Sequence, residues 1–205
     1  MKPVRLFIGL VVASVAFLSE AVAMAQSPPT RVRGTISAID GKTVVITTRE
    51  GSTATIKLAD NWAVALVAPL TVADIKPGTF VGIASTGTDA NRTALEVLVF
   101  PDAMKAAKPG EGHYQWDLQP ESMMTNATVA TVAAGGDGRT LKLDYKDGTQ
   151  TIKVKPGIPI VTFLPGTQVD AKVGAKVFVG AAKAPDGTLT APRLNVGKDG
   201  LTPPM

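Results

Sequence analysis

The sequence predicts an all-β protein made of two small barrels packed together. Three observations carry this expectation: polar and apolar residues alternate in short runs, turn-forming residues separate the runs, and one pattern occurs twice along the chain. Alternation is clearest in the second copy. Leu141, Leu143 and Tyr145 alternate with Lys142, Asp144 and Lys146, and Ile152 and Val154 with Lys153 and Lys155. A period of two turns one set inward and the other to water. The recurrence holds one offset to within a residue. Gly41-Lys42-Thr43 returns as Gly138-Arg139-Thr140 and Glu50-Gly51 as Asp147-Gly148, both 97 residues on. Lys76-Pro77-Gly78 returns as Lys172-Val173-Gly174, and Val81 and Ile83 as Val177 and Val179, at 96; Asp89 and Ala94 return as Asp186 and Ala191 at 97.

The first element is an address. Lys2 and Arg5 precede an apolar run from Leu6 to Leu18, and Ala21-Val22-Ala23-Met24-Ala25 offers the small residues that a signal peptidase reads. This is the three-part pattern of a secretory signal peptide, residues 1–25, expected as a short helix. The run is shorter than the ~20 residues that span a bilayer as a helix. An uncleaved anchor is the competing reading, and cleavage after Ala23 is the alternative to cleavage after Ala25. No cysteine follows that would take a lipid. The expected location is periplasmic or secreted, with no membrane span after cleavage.

The repeats cover 30–101 and 125–198, with a linker at 102–124 and a flexible tail at 199–205. In the first copy Val32 to Ile39 leads into Asp40-Gly41, Thr43 to Thr48 into Glu50-Gly51, and then Thr53 to Leu58 follows. Asp-Gly between alternating apolar residues is a hairpin signal. An apolar stretch, Trp62 to Val72, matched by Ile158 to Val169, fits a buried strand or a helical turn. A turn at Lys76-Pro77-Gly78 launches Thr79 to Ala84, and the chain returns as Thr93 to Phe100. Five or six strands in about 70 residues suit a small OB-like barrel, with a small sandwich as runner-up. A domain of about 70 residues is marginal alone, so the copies are expected to pack together with the linker wedged at their junction.

The motif Gly34-x-Ile36-x-x-Ile39-Asp40-Gly41-x-Thr43-Val44, then Asp74-x-Lys76-Pro77-Gly78-x-Phe80-Val81, then Ala94 and Val97, resembles the small β-barrel domains of unknown function found in exported bacterial proteins. Gly110-Glu111-Gly112-His113, Trp116-Asp117-Leu118 and Met124 to Thr128 resemble the connector of a two-copy subgroup. The resemblance spans nearly all of the chain after residue 25. It implies the fold and export, and it brings no activity and no catalytic residues.

Composition narrows the chemistry. The chain has 205 residues, 45% hydrophobic, 19% charged and 5% aromatic, with no cysteine and one histidine. That excludes disulfide scaffolds, thiolate metal sites, thiol nucleophiles and multi-histidine centres within one chain. The net charge of +4 is scattered, which does not suit nucleic acid as a partner. Gly135-Gly136-Asp137-Gly138 lacks the Lys-Ser/Thr of a phosphate loop. The linker holds the densest set of chemistry-bearing residues. His113, Tyr114, Trp116 and Asp117 are candidates for ligand binding, with the aromatics as anchors. His113 with Met123 and Met124, and Met104 nearby, suits a soft metal such as Cu(I), or zinc. Met and Trp also suit a packing plug in the junction. A hydrolase would need His113 as base, with Ser122 and Asp117 the nearest partners in sequence. No nucleophile elbow is present. The expectation is a non-enzymatic, cofactor-free binding or envelope-interaction module, whose partner is a protein or small ligand of the cell envelope. The alternatives are a periplasmic copper- or zinc-handling accessory and a hydrolase centred on His113.

Overall fold

The computed structural model describes residues 29–135 and 138–205, so the leader at 1–25 lies outside the described residues. Twelve strands are described, with one short α-helix and three single-turn 3-10 helices. The first group is β1 (Thr30–Asp40), β2 (Thr43–Thr48), β3 (Thr53–Pro69), β4 (Phe80–Thr88) and β5 (Asn91–Val99). The helix α1 (Asp102–Lys105) and strand β6 (Gly112–Gln115) follow. The last group is β7 (Met123–Gly135), β8 (Gly138–Tyr145), β9 (Gly148–Val154), β10 (Ile160–Pro165), β11 (Lys176–Lys183) and β12 (Leu189–Gly197). The all-β class is as expected, and both apolar stretches that fitted either strand or helix are mostly strand, at the end of β3 and in β10, and each runs into a short 3-10 turn. No described helix is long and apolar enough to cross a membrane.

Strand pairing closes two five-membered circuits. In the first, β1 pairs β2, β2 pairs β3, β3 pairs β12 in parallel, β12 pairs β11, and β11 returns to β1. In the second, β7 pairs β8, β8 pairs β9, β9 pairs β5 in parallel, β5 pairs β4, and β4 returns to β7. The registers correspond. Ile36 faces Ile46 in one circuit and Val129 faces Leu143 in the other, each beside a bulge. The same capping box, Thr71 with Asp74 and Thr167 with Asp170, opens the turn before each of the hairpins β4–β5 and β11–β12.

This pairing corrects the expectation of one barrel per repeat at 30–101 and 125–198. Each circuit takes three strands from one half and the last hairpin from the other. The physical reason is the length of β3. It runs on to Pro69, out of the first circuit, and the following turn delivers the chain to β7, where Gly78 N–H donates to Val129 O at 2.7 Å. Strand β10 joins the circuits, pairing antiparallel with β3 and parallel with β5.

Three apolar clusters follow from this arrangement. Val32, Ile36, Val44, Ile46, Ile56 and Leu194 are among those filling the first circuit; Val81, Ile83, Val97, Leu141, Leu143 and Ile152 are among those filling the second. A third cluster fills the seam between them. It holds Val67, Leu98, Val161 and Met205, with Phe100, Trp116, Phe163, Phe178 and Leu201 against them. The tail at 199–205 is therefore packed rather than free. Met205 is 3% exposed, Arg33 Nε donates to its carbonyl at 2.6 Å, and Arg49 Nη2 donates to Pro203 O. Its alternate Leu201, Pro203 and Met205 supply apolar surface for which the seam is the nearest cover.

Candidate functional site

The linker packs Trp116 against the seam cluster and divides its candidate residues between two places. Strand β6 lies antiparallel on β7, pairing His113 with Thr125, Tyr114 with Met124 and Gln115 with Met123. Paired residues share a face and neighbours along a strand alternate. His113 and Thr125 therefore face one way, Tyr114 and Met124 the other.

On the His113 side, its Nδ1 lies 2.8 Å from Thr125 Oγ1 and its ring is stacked at 6.3 Å on Tyr145. Nε2 is buried without a hydrogen-bond partner among the described residues; the nearest acid, Asp89 Oδ1, is 3.9 Å away. Burial holds the imidazole below its usual range, and Arg92 adds to this against the opposing pull of Asp89. Asp89 is itself committed to Arg92, at 2.8 and 3.2 Å, and its carboxyl sits below the usual range through that pairing.

This geometry does not assemble the metal set or the hydrolase. Met124 is on the opposite face from His113, whereas Met123 shares the His113 face but is paired two residues along the ribbon, with Gln115. No group of three or more His, Asp or Glu side chains converges among the described residues. Ser122 Oγ donates to Gln119 O at 2.7 Å and does not meet His113, Asp117 is held by arginines, and Thr125 is fully buried. Alternation of the β6–β7 ribbon turns Met124 away, and Ser122 and Asp117 are engaged by other partners, none of which proximity in sequence reveals.

On the other side, Tyr114, Trp116 and Asp117 meet β1 and β11. A groove of about 910 Å³ opens there, floored by Arg31, Phe178 and Gly180 and walled by Tyr114, Trp116 and Asp117. Val32 and Ile36 point into the first barrel, so Arg31 and Arg33 point out of it toward the linker. The Arg31 guanidinium lies 3.8 Å above the Trp116 ring, a cation–π contact, and Tyr114 meets that ring edge-on at 6.3 Å. Arg33 grips Asp117 with two hydrogen bonds, at 2.7 and 3.2 Å, and Arg31 approaches the same carboxylate at 3.7 Å. Burial works to raise the Asp117 carboxyl, but the Arg33 hydrogen bonds and the two arginine charges outweigh it and hold the group below its usual range. Burial raises the Tyr114 phenol, whose oxygen accepts from Asn126 Nδ2 at 3.1 Å. Trp116 is half-buried, and its Nε1–H has no partner among the described residues. It is thus both a plug in the seam and a wall of the groove. A second hollow, of about 510 Å³, is lined by the loop from Gln115 to Met123 and shares Gln115, Trp116 and Asp117 with the first.

Sequence reasoning missed Arg31, Arg33 and Glu96. The arginines carry a signal, since Thr30-Arg31-Val32-Arg33 alternates charge with apolar residues at the start of a strand. Glu96 carries one as well, as a lone acid in the run Ala94 to Val99. It is 1% exposed, and its Oε2 has no hydrogen-bond partner among the described residues. Burial pushes its carboxyl up to about 8, with Arg33 and Arg49 working against that rise.

Comparison of the chain with protein-family models, with curated proteins and with solved structures found no match, so what the groove takes is read from its own chemistry.

Proposed function

We propose that the chain is an exported, non-enzymatic binding module of the cell envelope, in which two OB-type barrels present the seam groove to a ligand or protein partner. The OB assignment rests on strand order. Numbered in chain order the first circuit reads 1-2-3-5-4-1 with a parallel closure, and the second gives the same cyclic order when numbering starts at β7 and runs on into the hairpin β4–β5; this is the Greek-key barrel that serves widely as a binding scaffold. Export rests on the leader pattern at residues 1–25. The observation that carries the binding role is Trp116, a half-buried aromatic gripped by Arg31 and Tyr114 at the wall of an open groove. Tryptophan, tyrosine and arginine are the side chains that dominate recognition surfaces, because each combines a large apolar face with a polar edge.

The test is a titration of the purified protein with muropeptides, lipopolysaccharide and envelope-protein peptides, followed by tryptophan fluorescence. Binding by one of these classes, lost in Trp116→Ala and kept in Trp62→Phe, is the expected result. Indifference of every class to Trp116 overturns the groove as the binding surface. Export is tested separately by sequencing the N-terminus of the protein recovered from the cell, which is expected to begin at Gln26 or Met24.

A further inference from the structure

The two barrels differ at one edge. Strand β7 is flanked on one side by β4, from Met123 to Thr128. On its other side it meets β8 only from Thr128 onward, and β6 covers Met123 to Asn126. The corresponding strand β1 is flanked on one side by β11, from Thr30 to Thr35, and on the other meets β2 only from Gly34 onward. Matching the registers puts Thr30–Arg33 in the place of Met123–Asn126, 93 residues apart. No strand among the described residues stands there in the place of β6.

The polarity of that edge follows from the ladder. Arg33 O accepts from Arg49 N–H at 3.0 Å, so the main-chain groups of Arg33 point away from β11. Directions alternate along a strand, so the N–H and C=O of Arg31 point the same way, to the open edge. An unpaired edge of this kind is a template for another strand. Counting back by the same 93 residues, the counterpart of β6 would be residues 19–22. They fall within the leader and lie outside the described residues.

We propose that Thr30–Arg33 receives an extended peptide of a partner protein by antiparallel strand addition, as β7 receives β6, and that the peptide places an apolar or aromatic side chain in the seam groove. This rests on the groove being the binding surface. The residue opposite Arg31 takes the position that Tyr114 takes opposite Met124, and directly paired residues share a face. Its side chain therefore enters beside Arg31, Trp116 and Phe178. Gly180, paired with Arg31 on β11, leaves room there, since a Cβ on it would meet nothing within 4 Å. Main-chain hydrogen bonds supply the affinity and the groove supplies the side-chain preference.

The probe is a synthetic peptide with the sequence of residues 111–116, offered to the purified full chain. Amide hydrogen exchange at Arg31 is expected to be fast without the peptide and strongly slowed at saturation. Arg31→Pro, which removes the outward N–H, is expected to bind about tenfold more weakly than Arg31→Ala, which keeps it. If Arg31→Pro does not fold, exchange in the unaltered chain decides alone. Failure of the probe to bind at millimolar concentration overturns strand addition. So does exchange at Arg31 that is slow before any peptide is added, whether the cover is the chain's own leader or, if slowing depends on protein concentration, a second copy. A change in Trp116 fluorescence with Arg31 unprotected sinks strand addition and leaves the groove standing. Protection of Arg31 that survives Trp116→Ala leaves strand addition standing and removes the side-chain role of the groove.

Discussion

The first half of the chain carries one long strand where the second half carries two. Strand β3 runs unbroken for 17 residues, whereas β9 stops at Val154 and β10 begins at Ile160. The difference lies at Asp60-Asn61 and, 96 residues on, Pro156-Gly157. Proline removes a ladder donor, and Gly157 takes φ of +83°, which leaves the extended region. The closures differ accordingly. Strand β12 follows β3 from Leu189 opposite Ile56 to Gly197 opposite Val67, with one bulge. Strand β5 meets β9 only at Arg92 and Thr93, then leaves it for β10 at Val97 to Val99. At the centre the halves are alike again. Ala65 pairs Pro165, Val67 pairs Phe163 and Pro69 pairs Val161, a register symmetric about Val67 and Phe163. The same segment of each half meets its counterpart, as in an isologous interface. The lesson is that a continuous strand and an interrupted one can occupy equivalent places, provided that the segment at the crossing keeps its register.

The largest effect is expected from forcing β3 to imitate its counterpart in the wrong place. Val64 is buried and paired with Leu194. Val64→Pro adds a steric clash and a disturbed ladder to the loss of a buried side chain, for about 4 kcal/mol. Asp60→Pro should cost less than about 1 kcal/mol, because Asp60 is exposed and falls in the bulge of the β3–β12 pairing. Denaturant midpoints of the two variants compare these directly. Equal losses would mean that the interruption in the second half is not what distinguishes the closures.

Glu96 and Arg193 sharpen the comparison. They stand at the same place in β5 and β12, one residue before the paired Val97 and Leu194, yet Glu96 is buried in the seam and Arg193 is exposed. The Glu96 carboxyl, ordinarily near 4.5, is pushed up to about 8 by burial, with Arg33 and Arg49 opposing. The folded state therefore holds this proton more tightly than the unfolded chain does. The contribution to stability is complete below the ordinary value and is lost as pH rises toward the folded one. Glu96→Gln should remove this decline and stabilise the protein by about 3 kcal/mol above pH 8. Arg193→Gln should change stability by no more than about 0.5 kcal/mol. Urea midpoints measured from pH 5 to pH 9 read both.

The strand class and the turns were legible because alternation and Asp-Gly pairs are local signals. Val44 and Ile46 are buried in β2, and Leu141, Leu143, Ile152 and Val154 are buried in β8 and β9, as their period requires. The exchange of hairpins was not legible. Hairpins β4–β5 and β11–β12 carry the same pattern, so either could close either circuit. What decides is the course of β3 beyond Leu58, which periodicity leaves open between helix and strand. The site was half legible for the same reason. Tyr114, Trp116 and Asp117 announce themselves as a cluster in the linker, but Arg31 and Phe178 lie far from them in sequence, and His113 is turned away by the alternation of β6.

Trp116→Ala is a smaller break. Trp116 packs against the seam cluster but keeps one side on the groove, so truncation leaves a hollow that is partly open to water rather than a sealed cavity. The loss should be about 2 kcal/mol, below the ~3–5 kcal/mol of a fully buried tryptophan. Its counterpart for a buried site is Trp62, 8% exposed in the first barrel, where alanine should reach that larger range. Thermal or urea denaturation of the two variants ranks them, and the reverse order would place Trp116 deep in the packing and close the groove.

The smallest effect is expected at Asp117, whose side chain is 44% exposed. Its carboxyl lies below the usual range, so its contribution is present above the ordinary carboxylate value and is lost as pH falls through the folded one. Solvent screens a pair this open, and Asp117→Asn should cost less than about 1 kcal/mol at neutral pH. Arg33 keeps Met205 O at 2.6 Å and the Phe178 ring at 5.3 Å after the change, so it stays in place. Among the described residues Arg31 then has the Trp116 face alone. Asp117→Asn should therefore leave the denaturation midpoint almost unmoved while altering Trp116 fluorescence, because the residue sets the guanidinium over the ring more than it holds the seam together. A large fall in the midpoint with unchanged fluorescence would assign Asp117 to the seam instead of the groove.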